Sequence, residues 1–352
     1  MDMTHFADAT PDYQEVLYQV RDWVAQITLN REKAYNAYST QALVELAHAF
    51  RRASFDDRVA VIVFTGAGSR AFCTGGDVKE YAASYTSRPR DYWKYMVLFG
   101  GYIESILNSG KPVVARLNGM AVGGGNESQL ACDLSVMAEH ATIKQVGTSV
   151  GSVAAGGATQ WLPVFVGDRR ARYMLMTNRP VPAYQALEWG LVNQVVPSVK
   201  KDGAFVERAT PEQIELAHAG KDGYSIDLSR LDEAVQALCA ELIEKFPECM
   251  RYTKQQVNFW KDLAWHQTIG HARDWLSIHY ASWEPLEGMG AFVEKRPVDF
   301  MKLRHLAAEG RSSEFRWGPY QQRCPHCGAA DLPTGFAFCG QCGRPLAKGA
   351  SA

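Results

Sequence analysis

The sequence predicts an α/β fold with a small separate cysteine module at its end. Three observations carry this. Short apolar, β-branched runs alternate with stretches of helical periodicity, and no long strand-only region intervenes. Long helical patterns dominate the segment before the C-terminus. Two Cys-x-x-Cys pairs then close the chain.

The elements follow in order. Val16 to Leu29 (VLYQVRDWVAQITL) alternates as two strand segments about a turn at Arg21-Asp22. Ser39 to Ala53 has apolar residues at helical spacing, with Ser39 or Thr40 as the N-cap. Val59 to Thr65 (VAVIVFT) is a continuous β-branched run that suits a buried strand, and Pro112 to Leu117 is another. Asn126 to Cys132 reads as a helix and Leu134 to Ala138 as a third strand. Arg169 to Thr177 and Ala183 to Trp189 read as helices, and Gly190 to Val196 as a turn into a strand. Lys200 to Asp227, polar and rich in glycine and charge, reads as an inserted loop. Leu231 to Phe246, Tyr252 to Ala264 and Thr268 to Trp283 are helical patterns, and His305 to Arg323 reads as a linker.

Composition narrows the function. The chain has 352 residues, 47% hydrophobic and 21% charged, which is ordinary globular usage. Lys plus Arg is 37 and Asp plus Glu is 38, so no basic excess exists to neutralise phosphates and no nucleic-acid partner is expected. No apolar run is long enough to span a bilayer, so no membrane partner is expected. Met1 to Glu15 carries acidic residues without an apolar core, unlike a secretory signal. A cytoplasmic protein with reduced thiols is the expectation, and paired C-x-x-C then reads as metal rather than disulfide.

Two glycine turns are the strongest chemical pattern. Thr74-Gly75-Gly76-Asp77 follows one buried strand. Gly123-Gly124-Gly125-Asn126-Glu127 follows another and opens a helix. Glycine lets backbone N–H groups approach a ligand, and a helix start adds unpaired donors. Two such donors converging on one oxygen make an oxyanion hole. Equally, either turn can simply tighten a crossover. The spacing is no dinucleotide or phosphate-loop fingerprint.

The strings AFCTGGDVKEY (71–81), KPVVARLNGMAVGGGNESQLACDLSV (111–136), VGSVAAGGATQWLPVFVGDRRAR (150–172) and NREKAYNAYS (30–39) resemble the crotonase superfamily of enoyl-CoA hydratases and isomerases. The resemblance runs from about Val16 to Arg304. It implies a spiral superhelix of ββα units with a C-terminal helical trimerisation region, and a homotrimer or hexamer. It implies an acyl-CoA thioester as the ligand, with its oxygen between the N–H groups of Gly76 and Gly124. The turns holding Arg31, Lys33 and Ala34, and Thr74 and Gly75, are similar to the family's CoA-binding turns, with Arg31 and Lys33 as phosphate partners. The resulting division is an acyl-CoA unit over 12–304 (spiral core 15–198, helical region 229–304), a linker at 305–322 and a ribbon at 323–347.

Glu127 stands where hydratases of this family carry a catalytic glutamate, although a first-turn carboxylate also suits the helix dipole. Partial desolvation would suit it to proton transfer. The second hydratase glutamate falls at Gly147, so a two-glutamate water addition is not supported. Gly147 with Val150-Gly151-Ser152 resembles the branch that handles cyclic or β-keto CoA thioesters. Some of its members place an aspartate where this chain has Ala154. AFRRAS (49–54), GGATQWLP (156–163), IDLSRLDEAVQALCAELIEKFPECM (226–250) and DFMKLR (299–304) are similar to the alicyclic ring hydrolases of that branch. Ile143-Lys144-Gln145 and Asp77 depart from their pattern. The implied chemistry is water addition to an alicyclic enoyl-CoA and hydrolytic ring opening. Asp77 is either a second acid–base group or a turn-stabilising residue. A simple hydratase using Glu127 alone and a non-catalytic binding scaffold are the competing readings. The aromatic span from Tyr81 to Tyr102 is expected to be mostly packing, with some rings over the acyl pocket. Cys73 and Cys132 are expected to pack as small apolar residues.

Cys324-Pro-His-Cys327-Gly and Cys339-Gly-Gln-Cys342-Gly are two knuckles separated by eleven residues. Four thiolates match a closed tetrahedral structural zinc site, with rubredoxin-like iron second. The span is too small for a hydrophobic core, so the metal would supply most of its folding energy. His326 is expected at the surface.

Overall fold

A computed structural model describes residues 12–346. Most of the N-terminal stretch read for a signal, and the last residue of the expected ribbon, Ala347, lie outside the described residues.

The chain enters as an antiparallel hairpin, β1 (Val16–Arg21) and β2 (Val24–Leu29), turning at Asp22 and Trp23. Helix α1 (Thr40–Phe55) follows. Ser39 caps it by accepting from Ala42 N at 3.1 Å. Its buried residues Ala42, Leu43, Leu46, Ala49, Phe50 and Ala53 repeat at helical spacing.

Three repeats of one unit come next. Each places a longer strand in one sheet, a shorter strand in a second, and then a helix. The first is β3 (Val61–Gly66), β4 (Ala71–Cys73) and α2 (Pro89–Leu107). The second is β5 (Val113–Leu117), β6 (Met120–Val122) and α3 (Gly124–Ala131). The third is β7 (Leu134–Ala138), β8 (Thr142–Lys144) and α4 (Ala158–Val166). Then come α5 (Asp168–Thr177), β9 (Val181–Pro182), α6 (Ala183–Glu188) and β10 (Gln194–Val196). The larger sheet has the order β1-β2-β3-β5-β7-β10 and is parallel beyond the hairpin. The smaller has β4-β6-β8-β9. These are the ββα turns that the resemblance implied.

Period-two alternation buries β3 on both faces. Ile62 and Phe64 join the main core with Phe50, Phe72, Tyr102 and Trp161. Val61 and Val63 face a second cluster with Val114, Val136 and, from α8 (Ser229–Ile243), Leu231, Val235 and Cys239.

The segment read as an inserted loop is folded. β11 (Val199–Lys201) and β12 (Ala204–Phe205) form a hairpin over Asp202-Gly203, both at positive φ. Helix α7 (Pro211–Ala219) starts on a Thr210–Gln213 capping box and ends at Gly220. β13 (Tyr224–Ile226) returns to β11. Val199, Ala217 and Tyr224 make its small core. The glycines and polar residues read as loop signals are the caps and turns of short elements.

The C-terminal helices are α9 (Pro247–Val257), α10 (Phe259–His279), α11 (Trp283–Glu294) and α12 (Lys302–Ala308). The break expected after Ala264 falls instead at Asn258. Trp265 to Gln267 contain no helix breaker, and α10 runs through them. The expected linker is also partly structured. It holds the end of α12, and β14 (Tyr320–Gln322) pairs with β15 (Leu332–Pro333). Among the described residues, no helix is long and apolar enough to cross a membrane.

Candidate active site and cysteine cluster

The starts of two ββα units meet at one pocket. Its lining includes Thr74, Gly75 and Gly76 from the turn after β4, and Gly123, Gly124 and Glu127 from the start of α3. The turns touch: a β-carbon built on Gly75 would lie 3.0 Å from Gly124 N.

Both predicted donors have free N–H groups. Tyr38 bridges across Gly76, with Tyr38 N donating to Gly75 O at 2.9 Å and Asp77 N donating to Tyr38 O at 3.0 Å. The flanking residues take these bonds, so the N–H of Gly76 has no partner among the described residues. Gly124 is the first residue of α3, where an N–H has no intrahelical acceptor. Glycine is required at both places. A β-carbon on Gly76 would sit 1.7 Å from Tyr81 Oη, and one on Gly124 1.8 Å from Tyr38 Oη.

Glu127 is 3% exposed. Its Oε1 accepts from Gly156 N at 2.7 Å and Ala158 N at 3.1 Å, both just before or at the start of α4. Burial pushes its carboxyl up to about 7, and the two backbone donors oppose this without cancelling it. Among the described residues lining the pocket, it is the one carboxyl group. Gly147, where a second hydratase glutamate would stand, forms part of the wall beside Val146 and Val150.

The aromatic span was expected to be mostly packing, yet four of its seven rings line the pocket. Tyr81, Tyr92, Tyr95 and Phe99 line the pocket together with Tyr38 and Met96, while Tyr102 is fully buried in the core. Tyr81 and Tyr95 hydroxyls lie 2.5 Å apart. Tyr92 stacks on Tyr280, with centroids 3.5 Å apart and planes at 11°. Burial raises all these phenols well above the usual range, so they remain protonated. Cys73 and Cys132 are buried, with thiols pushed up to about 12 by desolvation, which fits inert packing.

Two expected site residues stand elsewhere. Asp77 is absent from the pocket lining. Its Oδ1 accepts from Lys79 N at 3.0 Å, capping the helical turn Val78–Glu80, and its Oδ2 pairs with Arg31 Nη2 at 3.0 Å. The turn-stabilising alternative therefore describes its geometry, rather than an acid–base group facing substrate. Arg31 is likewise engaged inside the fold. Besides Asp77 it pairs with Glu15 at 2.8 Å and donates to Ala37 O. These three bonds hold the guanidinium between the two turns instead of presenting it to a phosphate. Lys33 is exposed and Ala34 partly buried, in the one-turn helix Glu32–Ala34. Thr74 Oγ1 donates to Tyr35 O at 3.2 Å and joins that turn to the glycine turn. Tyr38, which the sequence reading left unassigned, lines the pocket. Its only sequence signal is its place eight residues after Asn30, in the stretch leading to α1.

The far end of α3 is anchored by lysines. Lys261 of α10 is buried among Trp161, Phe165 and Trp260, and its Nζ donates to Cys132 O at 3.1 Å. Lys254 of α9 donates to Ile106 O and Lys111 O and pairs with Asp133 at 2.9 Å. Both cations sit where the helix dipole favours them.

Cys324, Cys327, Cys339 and Cys342 come together at the C-terminus, with all four sulfurs within 4.8 Å of one another. The Cys324–Cys342 and Cys327–Cys339 sulfur pairs are each 3.7 Å apart. A tetrahedral site with metal–sulfur bonds of about 2.3 Å has edges of about 3.8 Å, so the donor set fits a zinc-sized ion. His326 N and Gln341 N each point at a sulfur at 3.4 Å, as suits thiolates. The His326 side chain is exposed.

Comparison with known proteins agrees with this arrangement. Residues 19–221 match the enoyl-CoA hydratase/isomerase family. The chain is 39% identical over 311 residues to a 6-oxocyclohex-1-ene-1-carbonyl-CoA hydrolase of Geobacter metallireducens, covering 81% of each chain. It is 38% identical over 309 residues to the protein of that name from Thauera aromatica, covering 81% of this chain and 82% of that one. Among solved structures, it is similar to an enoyl-CoA hydratase of Bacillus anthracis, with 28% identity and TM-score 0.58 over 81% of this chain and 98% of that one. An enoyl-CoA hydratase of Mycobacterium avium subsp. paratuberculosis shares the fold, with TM-score 0.66 and 24% identity over 82% of this chain and 98% of that one. With two ββα turns meeting at a buried glutamate and more than half the chain matched, the protein belongs to the enoyl-CoA hydratase/isomerase family of the crotonase superfamily, enzymes of CoA thioesters.

Proposed function

We propose that this protein adds water to an alicyclic enoyl-CoA and then opens the ring hydrolytically, as a 6-oxocyclohex-1-ene-1-carbonyl-CoA hydrolase. The observation that carries the reading is the pocket's inventory. It holds one buried carboxyl beside two unpaired glycine N–H groups, glycine where a second glutamate would stand, and an aromatic enclosure. The names of the relatives give the ring and its ketone.

The residues divide the work as follows. The N–H groups of Gly76 and Gly124 hold the thioester oxygen. Water attacks the ring alkene at the carbon β to the thioester, Glu127 takes the water's proton, and the electron pair moves onto that oxygen. Glu127 returns the proton to the α-carbon. A second water, its proton taken by Glu127, then attacks the ring ketone; the bond from that carbon to the α-carbon breaks, and Glu127 returns the proton to the α-carbon. The electrons again pass to the thioester oxygen, so one oxyanion hole serves both steps. The product is one acyclic chain, a hydroxyacyl-CoA that carries the new carboxylate at its far end, heavier than the substrate by two waters. Glu127 Oε1 is fixed by two backbone donors, and a carboxyl near neutrality both accepts and returns protons. The tyrosine rings exclude bulk water. The Arg31–Ala34 and Thr74–Gly75 turns receive the CoA moiety, with exposed Lys33 rather than Arg31 as the phosphate partner.

Zinc is the metal proposed for the four cysteines, where it would fix the ribbon's fold and take no part in the chemistry. A homotrimer or hexamer is proposed as well. Exposed Phe259, Ile278 and Phe292 on α10 and α11 support association.

Mass spectrometry of products from 6-oxocyclohex-1-ene-1-carbonyl-CoA, with crotonyl-CoA as the linear control, tests the reading. A gain of two waters with an acyclic product is expected. A gain of one water reduces the enzyme to a hydratase, and no reaction with either substrate overturns the assignment.

A further inference from the structure

The Tyr38 hydroxyl has no hydrogen-bond partner among the described residues, although the residue is 2% exposed and lines the pocket. Several phenols nearby are engaged, Tyr81 with Tyr95, Tyr85 with Thr40 and Tyr280 with Ser152, while the unpartnered hydroxyl of Tyr102 belongs to a residue of the core and not of the pocket lining. The hydroxyl opens onto the pocket rather than being sealed in the core, and its natural acceptor is whatever enters there. The position is specific. An ideal β-carbon on Gly124 lies 1.8 Å from Tyr38 Oη, so the hydroxyl is within about 3.3 Å of the Gly124 α-carbon, one bond from that residue's free N–H. Two constraints fix the ring. It stacks on Phe99 with centroids 5.6 Å apart, and its backbone pairs on both sides of Gly76. Burial keeps the phenol protonated, so it acts as a donor.

We infer that Tyr38 is a catalytic residue, a third hydrogen-bond donor to the thioester oxygen held between Gly76 and Gly124. This rests on the acyl-CoA reading of the pocket but on no particular acyl group. A donor aimed at developing enolate charge strengthens as the charge forms, so its effect belongs to turnover more than to binding.

Tyr38→Phe keeps the ring and its stacking and removes an oxygen that no protein group bonds, so the variant should fold with a near-native melting temperature. Two readouts test it. Turnover of 6-oxocyclohex-1-ene-1-carbonyl-CoA should fall by about 10- to 100-fold with KM little changed. Acetoacetyl-CoA, whose enolate absorbs in the ultraviolet, should bind to both proteins with a smaller enolate fraction in the variant. An unchanged enolate fraction overturns the inference, whatever happens to turnover. Loss confined to ring opening, with alkene hydration intact, also overturns it, because the hydroxyl would then serve the ring ketone. If the wild type binds acetoacetyl-CoA without forming enolate, the oxyanion reading and the inference both fail. If the enolate depends on Tyr38 but the cyclic substrate is not opened, the proposed reaction fails and the role of Tyr38 stands.

Discussion

In the proposed mechanism, Glu127 ties catalysis to stability through one carboxyl group. In the fold, burial raises its pKa to about 7, while a freely solvated glutamate titrates near 4.5. Between those values the unfolded chain has released this proton and the folded protein still holds it. Stability therefore falls as pH rises through that window, by on the order of 3 kcal/mol once both are passed. Glu127→Gln removes the dependence. It should raise the melting temperature at pH 8 far more than at pH 5, and lower turnover by about 10²–10⁴-fold while CoA-thioester binding persists. Thermal melts at the two pH values and single-turnover kinetics check this, and an active variant would remove Glu127 from the mechanism. Asp77 gives the opposite expectation. Asp77→Asn preserves the cap and should retain turnover, whereas Asp77→Ala should cost about 1 kcal/mol through the lost cap. A hundredfold loss of turnover in a stable Asp77→Asn protein would return it to the chemistry. The place of Glu127 in the pocket was legible because its spacing from Gly123-Gly124-Gly125 is local. The fate of Arg31 was not, since Glu15 and Asp77 approach it from 16 and 46 residues away in sequence.

At the scale of elements, strand β3 was readable because burial on both faces demands an apolar run, and β5 and β7 because only a single polar residue, Arg116 or Ser135, interrupts an otherwise apolar stretch. Helix α2 was visible only as a run of aromatics, and nothing local distinguishes the rings that face the pocket from those that face the core. The 199–226 unit was misread because its elements are two to nine residues long, too short to show a period between turn signals. Helix α3 is the element on which the site depends most. Gly124→Ala would drive a methyl group into Tyr38 Oη and displace the start of this helix. Turnover should fall at least ~10²-fold with an unchanged circular dichroism spectrum. Native activity in this variant would show that the N-terminus of α3 is not where the oxyanion forms.

For the whole molecule, the C-terminal cysteines and the pocket make independent predictions. Elemental analysis should find one zinc per 39.1 kDa chain. Cys339→Ser should abolish the zinc and expose residues 320–346 to proteolysis, while turnover at the pocket, which none of the four cysteines lines, continues. Loss of both together would make the ribbon part of the catalytic unit. The C-terminal helices offer no such independence. The ammonium groups that secure the end of α3 arrive from α9 and α10, well over a hundred residues downstream of that helix. A ribosome therefore finishes the part of the chain that contains Glu127 long before it makes the part that fastens it. The nascent protein can assemble its sheets early but must wait for its last third to become an enzyme. Any nonsense mutation upstream of Lys254 leaves a glutamate helix with neither of its anchors.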